Sequence, residues 1–253
     1  MPEALSCDWG AHGSDLEAMS AQPSSVAPVA RKLGPEVLLP TIVKALHAAT
    51  IPMPDLLLKV RDAALELILK QGLIVPSVAY AIHSVASIED QALILNDASR
   101  LTTPGRLTGA RFVAAAVCGI ERGIDERITA AFAAGHGRLA LALDLIGTHT
   151  LFRLSNYVRE LIYEKARKDS LSIGGPLEPG MQKCPLGDAG VLVQLADAEP
   201  MGFFVSSSGA VGPGRVLTFA IPIGHEMPPW QPTDRCRICP SLEACRRMGM
   251  AVE

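Results

Sequence analysis

Residues 178–224 read EPGMQKCPLGDAGVLVQLADAEPMGFFVSSSGAVGPGRVLTFAIPIG. The segment opens on a polar, turn-rich stretch that carries Cys184. Val191–Leu195 is a short apolar run that passes as a strand by propensity. Gly202–Val205 and Val216–Ile221 read as two strands joined by a Ser/Gly loop. Gly and Pro are frequent here, so this part of the chain is expected to build a small sheet.

Upstream the texture is helical. Residues 132–162 read FAAGHGRLALALDLIGTHTLFRLSNYVRELI. Ile124–Ala134 and Arg138–Ile146 are two helix candidates. Phe152–Lys168 is a longer one, with Leu154, Val158, Leu161 and Ile162 on one face. Helical patterning starts near Leu38. Asp55 is placed to cap a helix whose apolar positions run from Leu56 to Ile68, and Gly72 is placed to end it. Pro76–Ser84 also reads as helix, and the small, apolar Ala110–Gly119 as a tightly packed one. Ile88–Leu95 fits either state. The first 34 residues show little apolar period and read as a disordered tail, in which Cys7 and His12 carry no role. The expected class is α+β: a helical N-terminal half packed beside a small antiparallel sheet. The body spans 35–230 and a Cys-rich tail spans 231–253.

Composition narrows the functions. The chain has 253 residues, of which 19% are charged and 49% hydrophobic, with a net charge of −3. At roughly 150 residues per domain it makes one large domain or two small ones. The near-neutral balance and an aromatic content of 4% speak against nucleic-acid binding, which needs basic surface and stacking rings. Charged or polar residues interrupt every apolar run before a membrane span is reached. The first residues, MPEALSCDWGAHGSD, lack the apolar stretch of a secretory signal. A cytoplasmic location, with reduced thiols, is the expectation. No P-loop, Ser-His-Asp order or dinucleotide fingerprint is present.

The chemistry-bearing motif is in the tail. Cys236, Cys239 and Cys245 have C-x2-C-x5-C spacing. Two thiolates of a C-x2-C element reach one metal from a single turn, and the five-residue gap returns a third. A closed Zn²⁺ or [4Fe–4S] site needs a fourth ligand. Cys118 sits in an apolar stretch and reads as a core cysteine. Cys184 sits in a turn, where a ligand is easier to present. Spacing alone leaves zinc and cluster open. Arg235, Arg237, Arg246 and Arg247 flank the run, either to balance thiolate charge or as solvated surface charge. The same run closes the cluster motif of helix-hairpin-helix DNA glycosylases, but those carry a further Cys where this chain has Pro229.

Residues 130–247 resemble the reactivation (activation) domain of cobalamin-dependent methionine synthase, and most of all its short, free-standing, Cys-tailed relatives. The matched residues are Leu143, Asp144, Ile146 and Gly147 in the first segment. In the second they are Pro179, Gly180, Pro185, Leu186, Gly202, Pro213, Thr218 and Gly224. The resemblance implies that Val191–Leu195 is helical, with Asp188 near its start. In the Cys-tailed relatives a cysteine falls at or very near Cys184, which supports it as fourth ligand. Two departures bear on S-adenosylmethionine. The family's Arg three residues before the turn Pro, and its Tyr after the Gly, are here Pro176 and Met181. Arg215 matches a basic position of the family, with Val216 in place of the usual hydroxyl. His225 follows the last expected strand and is either a candidate contact for a corrinoid or a cluster or merely an exposed residue. His149 and Asp144 are a candidate polar pair on one helix.

The implied function is an iron–sulfur protein that supports corrinoid (vitamin B12)-dependent methyl transfer. It acts by electron transfer that reductively reactivates cobalamin on a corrinoid protein or corrinoid-dependent methyltransferase. The metal ligands are Cys184, Cys236, Cys239 and Cys245, and the candidate cofactor contacts are Arg215 and His225. The alternatives are a non-redox docking module with structural zinc or cluster, and an S-adenosylmethionine-binding activator.

Overall fold

Strand β5 (Ala110–Ile120) is the spine of the molecule. In the computed structural model, which describes residues 29–48, 51, 53–181, 183–230, 234 and 242–243, it pairs on both sides. On one side runs β2 (Pro76–Glu89), antiparallel, from Pro76↔Ile120 to Ser84↔Phe112. On the other runs β9 (Arg215–Gly224), from Ile120↔Arg215 to Ala110↔Gly224. The outer edge of β2 is shared by β1 (Val29–Leu33) and β3 (Ala92–Leu95), and β4 (Arg100–Thr102) flanks β3. β6 (Ser172–Ile173) closes the far edge on β9. Among the described residues the sheet has seven strands.

The class is α+β, as expected, but the strands are distributed differently. Ala110–Gly119 and Pro76–Ser84, expected as helices, are the two longest strands. Both faces of the sheet are covered, so neither strand alternates between apolar and polar. Ala114, Ala116, Cys118 and Ile120 face one apolar cluster, together with Val78, Tyr80, Ile82, Phe219 and Ile221. Val113 and Ala115 face a second cluster, and Val117 and Ala79 a third, on the opposite side. Alanine's helix propensity is overridden by cross-strand pairing and two-sided burial.

Helices α1 (Pro35–Ala48), α2 (Asp55–Gln71), α3 (Gly123–Ala133) and α4 (Gly137–Lys168) contribute to the first cluster. Gly72 ends α2 in the left-handed conformation, at φ 60°. Asp55 is inside α2, after Pro54, and makes no side-chain cap. The two helices expected at Arg138–Ile146 and Phe152–Lys168 are one continuous helix of 32 residues, about 48 Å long. It passes through Gly147, where a Cβ would stand 3.0 Å from Ile124 Cδ1 and 3.4 Å from Arg215 Nε. Glycine there lets α3 and the start of β9 approach the helix closely.

The opposite face is covered by α5 (Asp188–Leu195), so Val191–Leu195 is helical as the resemblance implies. Gly202–Val205 and Val216–Ile221 do not pair with each other. Phe204–Val205 (β7) pairs with Val211–Gly212 (β8) as a separate ribbon. Val29–Leu33, expected within the tail, is the strand β1 on β2. Residues 1–28, with Cys7 and His12, lie outside the described residues. Among the described residues no helix is long and apolar enough to cross a membrane.

Candidate functional site

Cys184 sits on a tight turn between β6 and α5. Its N–H donates to Met181 O at 2.8 Å, and its carbonyl accepts Gly180 N–H at 2.9 Å. Gly180 takes φ 83°, which this turn requires and glycine adopts without strain. The side chain turns inward and is 5% exposed. Its Sγ donates to the carbonyl of Thr102 at 3.5 Å, and Asp188 Oδ2 accepts the Thr102 N–H at 3.1 Å. Burial pushes the Cys184 thiol up, and the carboxylates of Asp188 and Glu178 add to it. Cys118 is in the centre of β5, paired with Val78 and Leu217, and fully buried. Cys236, Cys239 and Cys245 lie outside the described residues, as do Arg235, Arg237, Arg246 and Arg247. Among the described residues no group of three or more His, Cys, Asp or Glu is arranged to hold a metal.

The chain leaving β9 is fastened to the body at two points. The Met227 N–H donates to Ser172 Oγ at 2.8 Å, and Met227 is 5% exposed. Three residues on, the indole of Trp230 lies 4.4 Å from the Arg159 guanidinium, and its carbonyl accepts Arg159 Nη2 at 3.0 Å. The ring seats on Gly175, where a Cβ would stand 2.7 Å from Trp230 Cδ1. The arm is thus docked on the stretch that leads into the Cys184 turn. Cys236 follows Trp230 by six residues, at most about 20 Å of chain.

Arg215 is already bonded. Its Nε donates to Asp125 Oδ1 and its Nη2 to Asp144 Oδ1, both at 2.7 Å. Nη1 donates to Thr148 Oγ1 at 3.0 Å and to the Asp144 carbonyl at 3.3 Å. The residue joins α3, α4 and β9. His225 is exposed and shares a 3.3 Å contact between its Nε2 and Arg111 Nη1. His149 does not pair with Asp144; its Nε2 accepts Arg153 Nε at 3.2 Å.

Two concavities complete the surface. Pro176 lines a cavity of about 10 Å³, with Ser155, Asn156, Glu178, Phe219 and Trp230 around it. An open groove of about 730 Å³ lies between α3 and the β7–β8 ribbon, lined by Asp125, Glu126, Thr129, Phe204 and Val211 among others. Sequence reasoning found neither the arm clamp nor the groove, because each joins residues far apart in the chain.

Among the described residues these features define an α+β domain with an antiparallel sheet, α1–α4 on one face, α5 on the other, and a clamped arm after β9. That architecture is similar to the solved structure of the MetH reactivation domain bound to AdoHcy, with a TM-score of 0.57. The match covers 88% of this chain and 87% of that one, at 12% identity, so the likeness is one of fold. No family model matches the chain, and no curated protein matches it in sequence.

The residues present meet the implied groups unequally. Cys184 supplies one soft sulfur donor on a turn, the chemistry a zinc or cluster site uses. With Trp230 seated, the cavity beside Pro176 holds about one water, far less than the roughly 300–1,000 Å³ of a ligand pocket, so this arrangement does not accommodate an S-adenosyl ligand.

Proposed function

We propose that this chain is an iron–sulfur protein that docks on a corrinoid protein or corrinoid-dependent methyltransferase and returns oxidised cobalamin to its methyl-accepting state. The fold likeness to a reactivation domain, spread over most of both chains, is the observation that carries the corrinoid link. The four-cysteine set, Cys184 with Cys236, Cys239 and Cys245, carries the redox part. The Cys184 turn supports it by presenting a sulfur where the chain is irregular, while Cys118 is enclosed in a central strand. The docked arm supports it by starting the cysteine segment beside the stretch that leads into that turn.

A [4Fe–4S] cluster held by Cys184, Cys236, Cys239 and Cys245 would supply a low-potential one-electron couple, through which an electron from an external reductant would reduce the partner's cobalt(II). Cys184 gives up its hydrogen bond to Thr102 and loses its proton to serve as ligand. Arg215 is bonded to two aspartates and acts as a structural joint, while the exposed His225 remains the candidate contact for the partner's corrinoid or the cluster.

The test is the iron, sulfide and zinc content of anaerobically purified protein, with an absorption spectrum before and after dithionite. About four iron and four sulfide per chain, and a visible band that bleaches and is lost in Cys184→Ala, are expected. One zinc, no sulfide and no visible band would sink the electron-transfer reading and leave a docking module stapled by zinc.

A further inference from the structure

The Cys184 sulfur is turned away from solvent. Its thiol donates to the Thr102 carbonyl at 3.5 Å, and it lies in an apolar cluster with Leu101, Leu177, Leu192 and Met227. Thr102 ends β4, which among the described residues pairs with β3 alone. Main-chain groups that point off such an edge need partners elsewhere. Thr102 finds both beside α5: its N–H donates to Asp188 Oδ2 at 3.1 Å, and its carbonyl takes the Cys184 thiol. Asp188 stands in the first turn of α5, and its own N–H donates to Pro185 O at 3.1 Å. One residue thus ties the strand edge to the turn that carries the sulfur.

This place suits a thiol and not a metal ligand. A bound cysteine is a thiolate, which has no proton to donate. Left where it stands, it would face the Thr102 oxygen as a second acceptor 3.5 Å away, inside the apolar cluster. A buried charge without a donor is costly. The sulfur therefore has to leave this place to bind metal, and its proton passes to water as it does.

We propose that Asp188 works a latch: by tying the Thr102 main chain it keeps the Cys184 thiol inside the metal-free protein, and the sulfur swings out to its ligand position only when that tie loosens. The latch regulates loading, because a site whose fourth ligand is mostly held in binds metal more weakly by the fraction that is out. The swing toward metal rests on the four-cysteine reading; the tie that holds the thiol in does not.

The experiment is iodoacetamide labelling of the metal-free full chain, read at Cys184 and Cys118 by peptide mass spectrometry. Asp188→Ala is expected to label Cys184 at least about tenfold faster than the parent. Asp188→Asn keeps an oxygen for the Thr102 N–H but no charge, and is expected to label at the parent's rate. Cys118, fully buried in β5, is expected to stay unlabelled in all three, which shows an intact fold. The latch is overturned if Asp188→Ala labels Cys184 no faster than the parent, or if Asp188→Asn labels as fast as Asp188→Ala, since charge alone would then account for the gain. Should Cys118 label in Asp188→Ala, Thr102→Pro decides by the same readout: it removes the N–H, leaves the carboxylate and sits on an edge strand, where Pro is tolerated. Zinc added to the Asp188→Ala chain is expected to protect Cys184 again. Undiminished labelling there would overturn the ligand reading and with it the swing, whereas the tie is decided by the metal-free rates.

Discussion

Arg215 and Asp144 stand 71 residues apart and meet at 2.7 Å, with Asp125 at the same distance on the other edge of the guanidinium. Two carboxylates flank one arginine that is 19% exposed, so its charge is compensated and its planar fork is held on both sides. The Asp144 main-chain carbonyl and Thr148 Oγ1 complete its shell. This is a joint between helix and sheet. Arg215→Met is expected to cost about 2 kcal/mol, between an exposed and a buried pair. Arg215→Lys is expected to recover less than half, because one ammonium cannot reach both carboxylates. Urea unfolding of Arg215→Met, Asp144→Ala and the double variant checks this. A double-mutant coupling near zero refutes it.

Cys118 and Cys184 are expected to separate stability from metal content. Cys118 is fully buried in β5, and Cys118→Ala leaves a small void, at a cost of about 1–2 kcal/mol. Its iron content is expected to equal the parent's. Cys184→Ala is expected to lose the metal while its metal-free form melts within a few degrees of the metal-free parent. Metal analysis beside thermal melts reads both. Equal metal loss in the two variants would contradict the assignment.

How much of this could be read from the chain depended on how local each signal was. Gly72 ends α2 because one residue carries the left-handed stop, and the period from Leu57 to Ile68 is a helix because one face alone is buried. Ala110–Ile120 was illegible: with apolar clusters on both faces, every position is buried and the period vanishes. Val191–Leu195 is too short for its period to decide, and only the resemblance pointed to α5. The Arg159–Trp230 clamp spans 71 residues and leaves no local trace. The cysteine spacing is plain in the sequence, but its three tail members lie outside the described residues.

Two glycines at the sheet are expected to respond differently to a methyl group. At Gly224 an added Cβ meets the backbone of Gly109, across the irregular start of the β5–β9 pairing. Main chain cannot step aside without breaking that pairing, so Gly224→Ala is expected to cost about 3 kcal/mol or more. At Gly119 the added Cβ meets the buried ring of Phe203, a side chain whose displacement breaks no strand pairing. Gly119→Ala is expected to cost about 1–2 kcal/mol, as overpacking usually does. Denaturant midpoints of the two variants rank them. Equal losses would mean that the β5–β9 junction yields as easily as a side chain.

His149 sets a pH dependence. Burial lowers its pKa to about 4, and the charge of Arg153 adds to the effect, while its Nε2 accepts the Arg153 Nε–H. The folded chain thus holds a neutral imidazole where the unfolded chain takes up a proton near pH 6.5. Between those values the unfolded state binds more protons, so stability falls as pH drops from about 6.5 toward about 4. The full effect of that difference is about 3 kcal/mol. Above pH 7 both states are neutral at this residue and it contributes no slope. His149→Gln keeps an acceptor for Arg153 without a titrating group. Its urea midpoint is expected to match the parent at pH 7.5 and to exceed it at pH 5, the gap widening as pH falls further. Parallel pH profiles for the two proteins would show that His149 is not held neutral by the fold.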